Sequence, residues 1–155
     1  KGIILENIIL AETYRSFSQN DPKRYYVSQL STTLKENNQH VEADMILVDM
    51  QKNESYLFEI KYSNQIVEDQ TKHLRNEHFT QYVDENFGKV TNRFVIYTGE
   101  PNCTNEIPYL NAEKYLNRLS QFSKPPYPKL KKLFSLEKVV QAKQTKKSSH
   151  KKPLL

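Results

Sequence analysis

The chain has 155 residues, 37% of them hydrophobic and 26% charged, and a net charge of +5. Such a length and composition suit one soluble domain able to bury a core, and no apolar run approaches a membrane span. The charge is uneven: residues 121–155 hold ten Lys and one acid, Glu137, and this +9 leaves −4 for residues 1–120. The basic block reads first as a solvated tail and second as an arm for nucleic acid or a partner. Lysines without arginine supply charge but little base-specific geometry. Glu6 and Asn7 interrupt the apolar residues 3–10, which argues against a signal peptide. A single cysteine, Cys103, excludes a disulfide framework and fits a cytoplasmic setting. The opening Lys-Gly stands inside a helical pattern, as expected of a piece cut from a longer protein.

In chain order, residues 3–18 read as a helix. Leu5, Ile8, Ile9 and Glu12 fall on one face, with Glu6, Leu10, Thr13 and Phe17 on a neighbouring one. Asn20, Asp21 and Pro22 end it. Residues 24–30, rich in aromatic and β-branched side chains, read as a strand, followed by a polar turn at 35–40. Residues 41–50 and 55–62 form two further strands, antiparallel across a turn at 51–54. From 64 to 87 the spacing of Ile66, Leu74, Phe79, Tyr82 and Val83 predicts a long or broken amphipathic helix closed by Gly88. Residues 92–99 are a buried strand, and 105–110 a short edge strand, since Pro108 excludes a central one. A closing helix spans 111–121, capped by Asn111. "SKPPYPK" breaks structure, Leu130 to Val140 allow one more helix, and the last dozen residues read as a disordered tail. The order α–β–β–β–α–β–(β)–α describes an α/β fold, a mixed sheet flanked by helices on both faces.

The chemistry concentrates in "EADMILVDMQKNESYLFEIKYS", residues 42–63. Strand alternation puts Leu57, Glu59 and Lys61 on one face and Tyr56, Phe58, Ile60 and Tyr62 on the other. The second face is apolar and must pack on a helix. In the preceding strand Glu42, Asp44, Ile46 and Val48 share a face by the same rule. Asp44 stands about eight residues before the turn centre and Glu59 about seven after it, so antiparallel pairing brings them together away from the turn. Two carboxylates beside an ammonium suit a hard, oxygen-seeking cation such as Mg²⁺ and metal-assisted phosphodiester hydrolysis. The bland alternative is a solvated ion pair at a strand end, because acid-x-Lys triplets are common by chance.

Asp44, followed after fourteen residues by Glu59-Ile60-Lys61, resembles the PD-(D/E)XK nuclease superfamily. The likeness is closer to one branch, the C-terminal domain of unknown function of prokaryotic AAA+ ATPases. It is carried by "GIILEN" at 2–7, "EADMIL" at 42–47, "EIKYS" at 59–63, "IYTGE" at 96–100 and "EIPYL" at 106–110, and it covers residues 2 to 120. The resemblance implies a restriction-endonuclease-like αβββαβ core over residues 1–122, with 123–155 as a basic extension. It implies Mg²⁺ or Mn²⁺ held by Asp44, Glu59 and the Ile60 carbonyl, with Lys61 as the catalytic lysine. Glu6 matches the helix glutamate that often completes the site. Glu12 is its competitor, about 240° around the helix, so both cannot face one metal. Glu42 is expected as an outer partner of Lys61 or solvated. DNA is the implied substrate, and an AAA+ ATPase module upstream in the same chain the implied partner. The alternative is a catalytically silent module that binds DNA or a protein partner on the same fold. The acidic balance of the folded part disfavours strong nonspecific DNA binding.

Lys72, His73 and Arg75, with Gln70, are the candidates for DNA-backbone contacts, against the default of a solvated helix face. His73 and His78 are five residues apart, about 140° on a helix, a poor pair for zinc. Only Gly2, Gly88 and Gly99 are present, so there is no Gly-rich phosphate loop, and no G-x-S-x-G elbow appears.

Overall fold

A computed structural model describes residues 1–103, 106–122 and 130–134. Helix α1 (Gly2–Tyr14) runs into a π-helical turn at Arg15–Gln19. Its buried stripe is Ile9, Thr13, Ser16 and Phe17, which share one helical face. The other expected face, containing Ile8 and Glu12, gives only Ile9 to this stripe. Ile8 is exposed, and Glu12 pairs with Arg15 at 3.0 Å.

Five strands follow: β1 (Tyr25–Thr33), β2 (His40–Asp49), β3 (Glu54–Lys61), β4 (Lys89–Tyr97) and β5 (Tyr109–Asn111). They lie in the order β1-β2-β3-β4-β5. The first three form an antiparallel meander, β4 is parallel to β3, and β5 is parallel to β4. The parallel step needs a crossover, supplied by α2 (Glu77–Asn86). On one face Met45, Leu47, Phe58, Ile60, Phe94 and Ile96 pack with Ile9 and Phe17 of α1. Tyr115 and Leu119 of α3 (Ala112–Phe122) join that core. On the other face Ile46, Val48, Leu57 and Val95 pack with Phe79 and Val83 of α2. The fold is thus a mixed α/β sheet with helices on both faces. A buried hydroxyl pair, Thr13 with Tyr115 at 2.7 Å, pins α1 to α3.

Three expectations change. The helix predicted over 64–87 is broken into a 3-10 turn at Glu68–Thr71 and α2. Asn76 starts α2 afresh, its side-chain oxygen accepting from the Phe79 amide at 3.1 Å. Tyr109 donates to Gln70 at 3.0 Å and ties down the segment before it. Gly88 does close α2, at φ +150°, where a Cβ would lie 2.9 Å from the Asn53 carbonyl carbon in the β2–β3 turn. The edge strand predicted over 105–110 narrows to Tyr109–Asn111. Pro108 has no N–H to pair, although its carbonyl accepts from Val95 at 3.0 Å. Of the helix expected from Leu130, a short α4 (Leu130–Leu133) is described. The break at 123–129 and the Lys-rich tail from 135 lie outside the described residues.

The turn that sets the β2–β3 register is built on Asp49, 1% exposed. Its carboxylate accepts from Arg24 Nε at 3.2 Å and Arg24 Nη2 at 3.0 Å. It also accepts from the amides of Gln51 and Lys52 at 3.1 and 3.2 Å. One buried charge therefore satisfies the hairpin turn and anchors the start of β1. Asp49→Ala leaves Arg24 and two turn amides without their acceptor and is expected to cost about 3–5 kcal/mol in urea unfolding, as for other broken buried pairs.

Candidate active site

β2 and β3 pair from Asp49↔Glu54 to Met45↔Phe58, where the ladder stops. One step further the same register sets Asp44 opposite Glu59. Instead of continuing the ladder, Asp44 Oδ2 accepts from the Ile60 amide at 2.7 Å. The β1–β2 register shifts at the same place: Ser28 opposes Ile46 but Leu30 opposes Ala43, so Asp44 and Met45 together face Gln29. This is a β-bulge, a device that re-aims a side chain and often adjoins a functional site. It corrects the face expected from strict alternation. Val41 and Ala43 join Ile46 and Val48 in the α2-side core, so Asp44 and Glu42 are turned away from it.

Glu59 is 6% exposed, and its carboxylate lies 3.4 Å from Lys61 Nζ. Burial, with the Asp44 charge as the next cause, pushes its carboxyl up from 4.5 to about 8. Lys61 draws it down and is outweighed. A hydrogen bond to Asp44 favours the protonated form as well, so Glu59 keeps its proton at neutral pH. Burial pulls the Lys61 ammonium down, but Glu59 and Asp44 more than offset this and set it above its ordinary value. The predicted triad of Asp44, Glu59 and Lys61 is therefore brought together, as one coupled unit rather than a solvated ion pair.

Glu6 stands at the edge of this unit. Burial and then the Asp44 charge raise its pKa. Its nearest hydrogen-bond donor is Gln29, at 3.4 Å, the residue opposite the bulge. Glu12, its competitor, is occupied by Arg15. Glu42 does not partner Lys61; it is exposed, with His40 at 3.8 Å. Among the described residues no three or more His, Cys, Asp or Glu side chains stand grouped to hold a metal ion. The donors expected of such a site, Asp44, Glu59, Glu6 and the Ile60 carbonyl, are all oxygens and suit a hard divalent cation.

Lys72, His73 and Arg75 lie in the turn between the 3-10 segment and α2, not on a helix face. Lys72 is exposed. Arg75 donates to Thr71 at 2.9 Å and reaches Glu106 at 3.9 Å. His73 is committed to structure. The Glu42 amide donates to its Nδ1 at 2.9 Å, and the Glu42 carbonyl lies 3.0 Å from the same nitrogen. The ring thereby covers β2 where β3 has parted from it. Neither Gln29 nor this use of His73 is visible in local sequence, because both depend on the bulge and on the end of the ladder.

A family model described as "Domain of unknown function (DUF4143)" matches residues 1–115. The chain belongs to this family. The DUF4143 span contains α1, the whole sheet and every residue of the coupled site, and it stops within α3. Neither the curated proteins nor the solved structures compared with the chain include a significant match. Among the described residues no helix is long and apolar enough to cross a membrane.

The protonated Glu59 makes stability depend on pH. Unfolded, the carboxyl ionises near 4.5; folded, near 8. Its stabilising contribution is whole below the lower value and is lost as pH rises to the upper one. Urea unfolding is expected to show wild type losing stability relative to Glu59→Gln from about pH 4.5 to about pH 8 and holding a constant difference outside that window.

Proposed function

We propose that this domain has a restriction-endonuclease-like core of the PD-(D/E)XK kind and is a Mg²⁺- or Mn²⁺-dependent nuclease that hydrolyses DNA phosphodiesters. The observation that carries the reading is the pair Asp44 and Glu59, held together beside Lys61 at the end of two strands. A buried Glu59 carboxyl beside the part-buried Asp44 forms a site short of positive charge. The element order supports the same reading: a helix, a three-stranded meander, a crossover helix and a parallel fourth strand. An ATPase module upstream in the same chain belongs to the proposal through the likeness of "GIILEN", "EADMIL" and "EIKYS" to that branch.

Asp44 and Glu59 would hold the cation, with the Ile60 carbonyl and Glu6 as further oxygens. The ion, when bound, lowers the pKa of a water and offsets charge on the phosphoryl group. Lys61, an ammonium fixed against Glu59, places a permanent positive charge beside the phosphate. Glu59 would give up its proton when a cation is bound, and its carboxylate would orient Lys61. Gln29 holds Glu6 toward the pair. Lys72, which is exposed, would contact a phosphate of the DNA backbone.

One observation favours a silent module that binds DNA or a protein on this fold. Asp44 already spends Oδ2 on the Ile60 amide. Plasmid cleavage in Mg²⁺ or Mn²⁺ separates the two readings. A nuclease is expected to cut, with Asp44→Ala and Lys61→Ala each reducing the rate about 100-fold or more. No cleavage, and no calorimetric heat of Mn²⁺ binding that Asp44→Ala abolishes, would sink the nuclease reading.

A further inference from the structure

A second feature lies on the outer edge of β4, the strand next to the one that carries Glu59. β5 pairs with β4 only at Val95, Ile96 and Tyr97. Among the described residues no strand covers the earlier part of that β4 edge. Val95 donates its amide outward to Pro108 at 3.0 Å. Main-chain groups alternate along a strand, so the N–H and C=O of Arg93 turn to the same side. The chain that forms β5 leaves this line at Pro108, which has no N–H to extend the pairing.

The uncovered edge opens onto a cleft of about 510 Å³, walled by α2 at Glu77 and Thr80 and floored by Leu74, Ile107 and Pro108. Arg93 lies on the same strand face as Val95 and Tyr97, the face covered by α2. Its Nη2 donates to Thr80 at 2.8 Å. Its Nε is buried and has no acceptor, and no carboxylate pairs with it among the described residues. The acids nearby do not fill that role. Glu106 is turned to Arg75 at 3.9 Å, and Glu77 sits in the first turn of α2, where it offsets the helix dipole. A part-buried guanidinium without a counter-charge is costly, and the missing partner is an anion.

These two features call for one occupant. An open strand edge offers alternating amide donors and carbonyl acceptors, which a polypeptide backbone matches and a phosphate chain does not. A guanidinium with a spare donor takes a carboxylate. We infer that this cleft binds an extended acidic peptide segment of a partner protein. The segment adds as a strand beside Arg93, in line with β5, and its Asp or Glu side chain answers the Arg93 guanidinium. The inference uses only the β4 edge and Arg93 and does not rest on the nuclease reading, although Arg93 pairs with Leu57, two residues before Glu59 on β3.

The test uses a capped seven-residue peptide alternating Thr and Val around a central Glu, titrated into the ¹⁵N-labelled chain and followed by NMR. The Arg93 Nε–H resonance and the Arg93 and Thr91 amides are expected to shift together. A central Gln in place of Glu is expected to weaken binding about tenfold or more, as for loss of one side of a charge-assisted contact. Arg93→Gln is expected to abolish the difference between the two peptides. The Gln peptide is the control should that variant fail to fold. The inference is overturned if the edge amides do not respond at millimolar peptide, or if both peptides bind wild type equally. It is also overturned if inorganic phosphate moves the Arg93 Nε–H while the Glu peptide leaves the backbone amides still, for that describes an oxyanion site without strand addition.

Discussion

Two carboxyl groups, Asp44 and Glu59, are held in contact where β2 and β3 part, and most of the local architecture serves that contact. Left to themselves two such groups ionise and repel. Here burial of Glu59 and the register of the hairpin keep them adjacent, so Glu59 keeps its proton and Lys61 is drawn in at 3.4 Å. The remaining groups take up the main-chain bonds that the ending ladder leaves open. Asp44 accepts from Ile60, and His73 answers the exposed main chain of Glu42. An acid pair at this position is thus part of the fold, and under the proposed function it is where a cation would sit.

The register that creates the contact is set at the far end of the hairpin. Asp49 gathers Arg24 and the turn amides, and Gly88 lets the α2–β4 connection close over Asn53. A slip of one residue there would send every side chain of β3 to the opposite face, moving Glu59 out of its buried place and Phe58 out of the α1 core. Stability and site geometry therefore share their determinants, and Asp49 lies only five residues from Asp44 and ten from Glu59.

Much of this was legible beforehand, and the remainder has physical reasons for having been hidden. The meander, the crossover and the late strand follow from β-branched and aromatic runs separated by polar turns. The meeting of Asp44 with Glu59 follows from counting out from the turn at 51–54. The bulge at Asp44 and Met45 is not legible, because one extra residue in a pairing leaves no compositional mark. With it went the true face of Asp44 and the place of Gln29. The burial of Glu59 was equally hidden, since a glutamate near a strand end is ordinarily solvated. The spacing over 64–87 left a long or a broken helix open, because weak apolar periodicity runs on through a polar stretch that Asn76 interrupts with its own cap. The buried stripe of α1 draws on both expected faces, because isoleucines occur all round its first two turns. Burial there was decided by what packs on Thr13 and Phe17.

The proton that Glu59 keeps beside Asp44 is the most direct point at which to test this account. Carboxyl ¹³C NMR can follow the Glu59 side chain through a pH titration, first without metal and then with saturating Mg²⁺. Expected is a Glu59 carboxyl that titrates near 8 in the metal-free protein and moves down by about a unit or more with Mg²⁺. A carboxyl that titrates near 4.5 in the metal-free protein, the ordinary glutamate value, would contradict the coupled pair and the reading built on it.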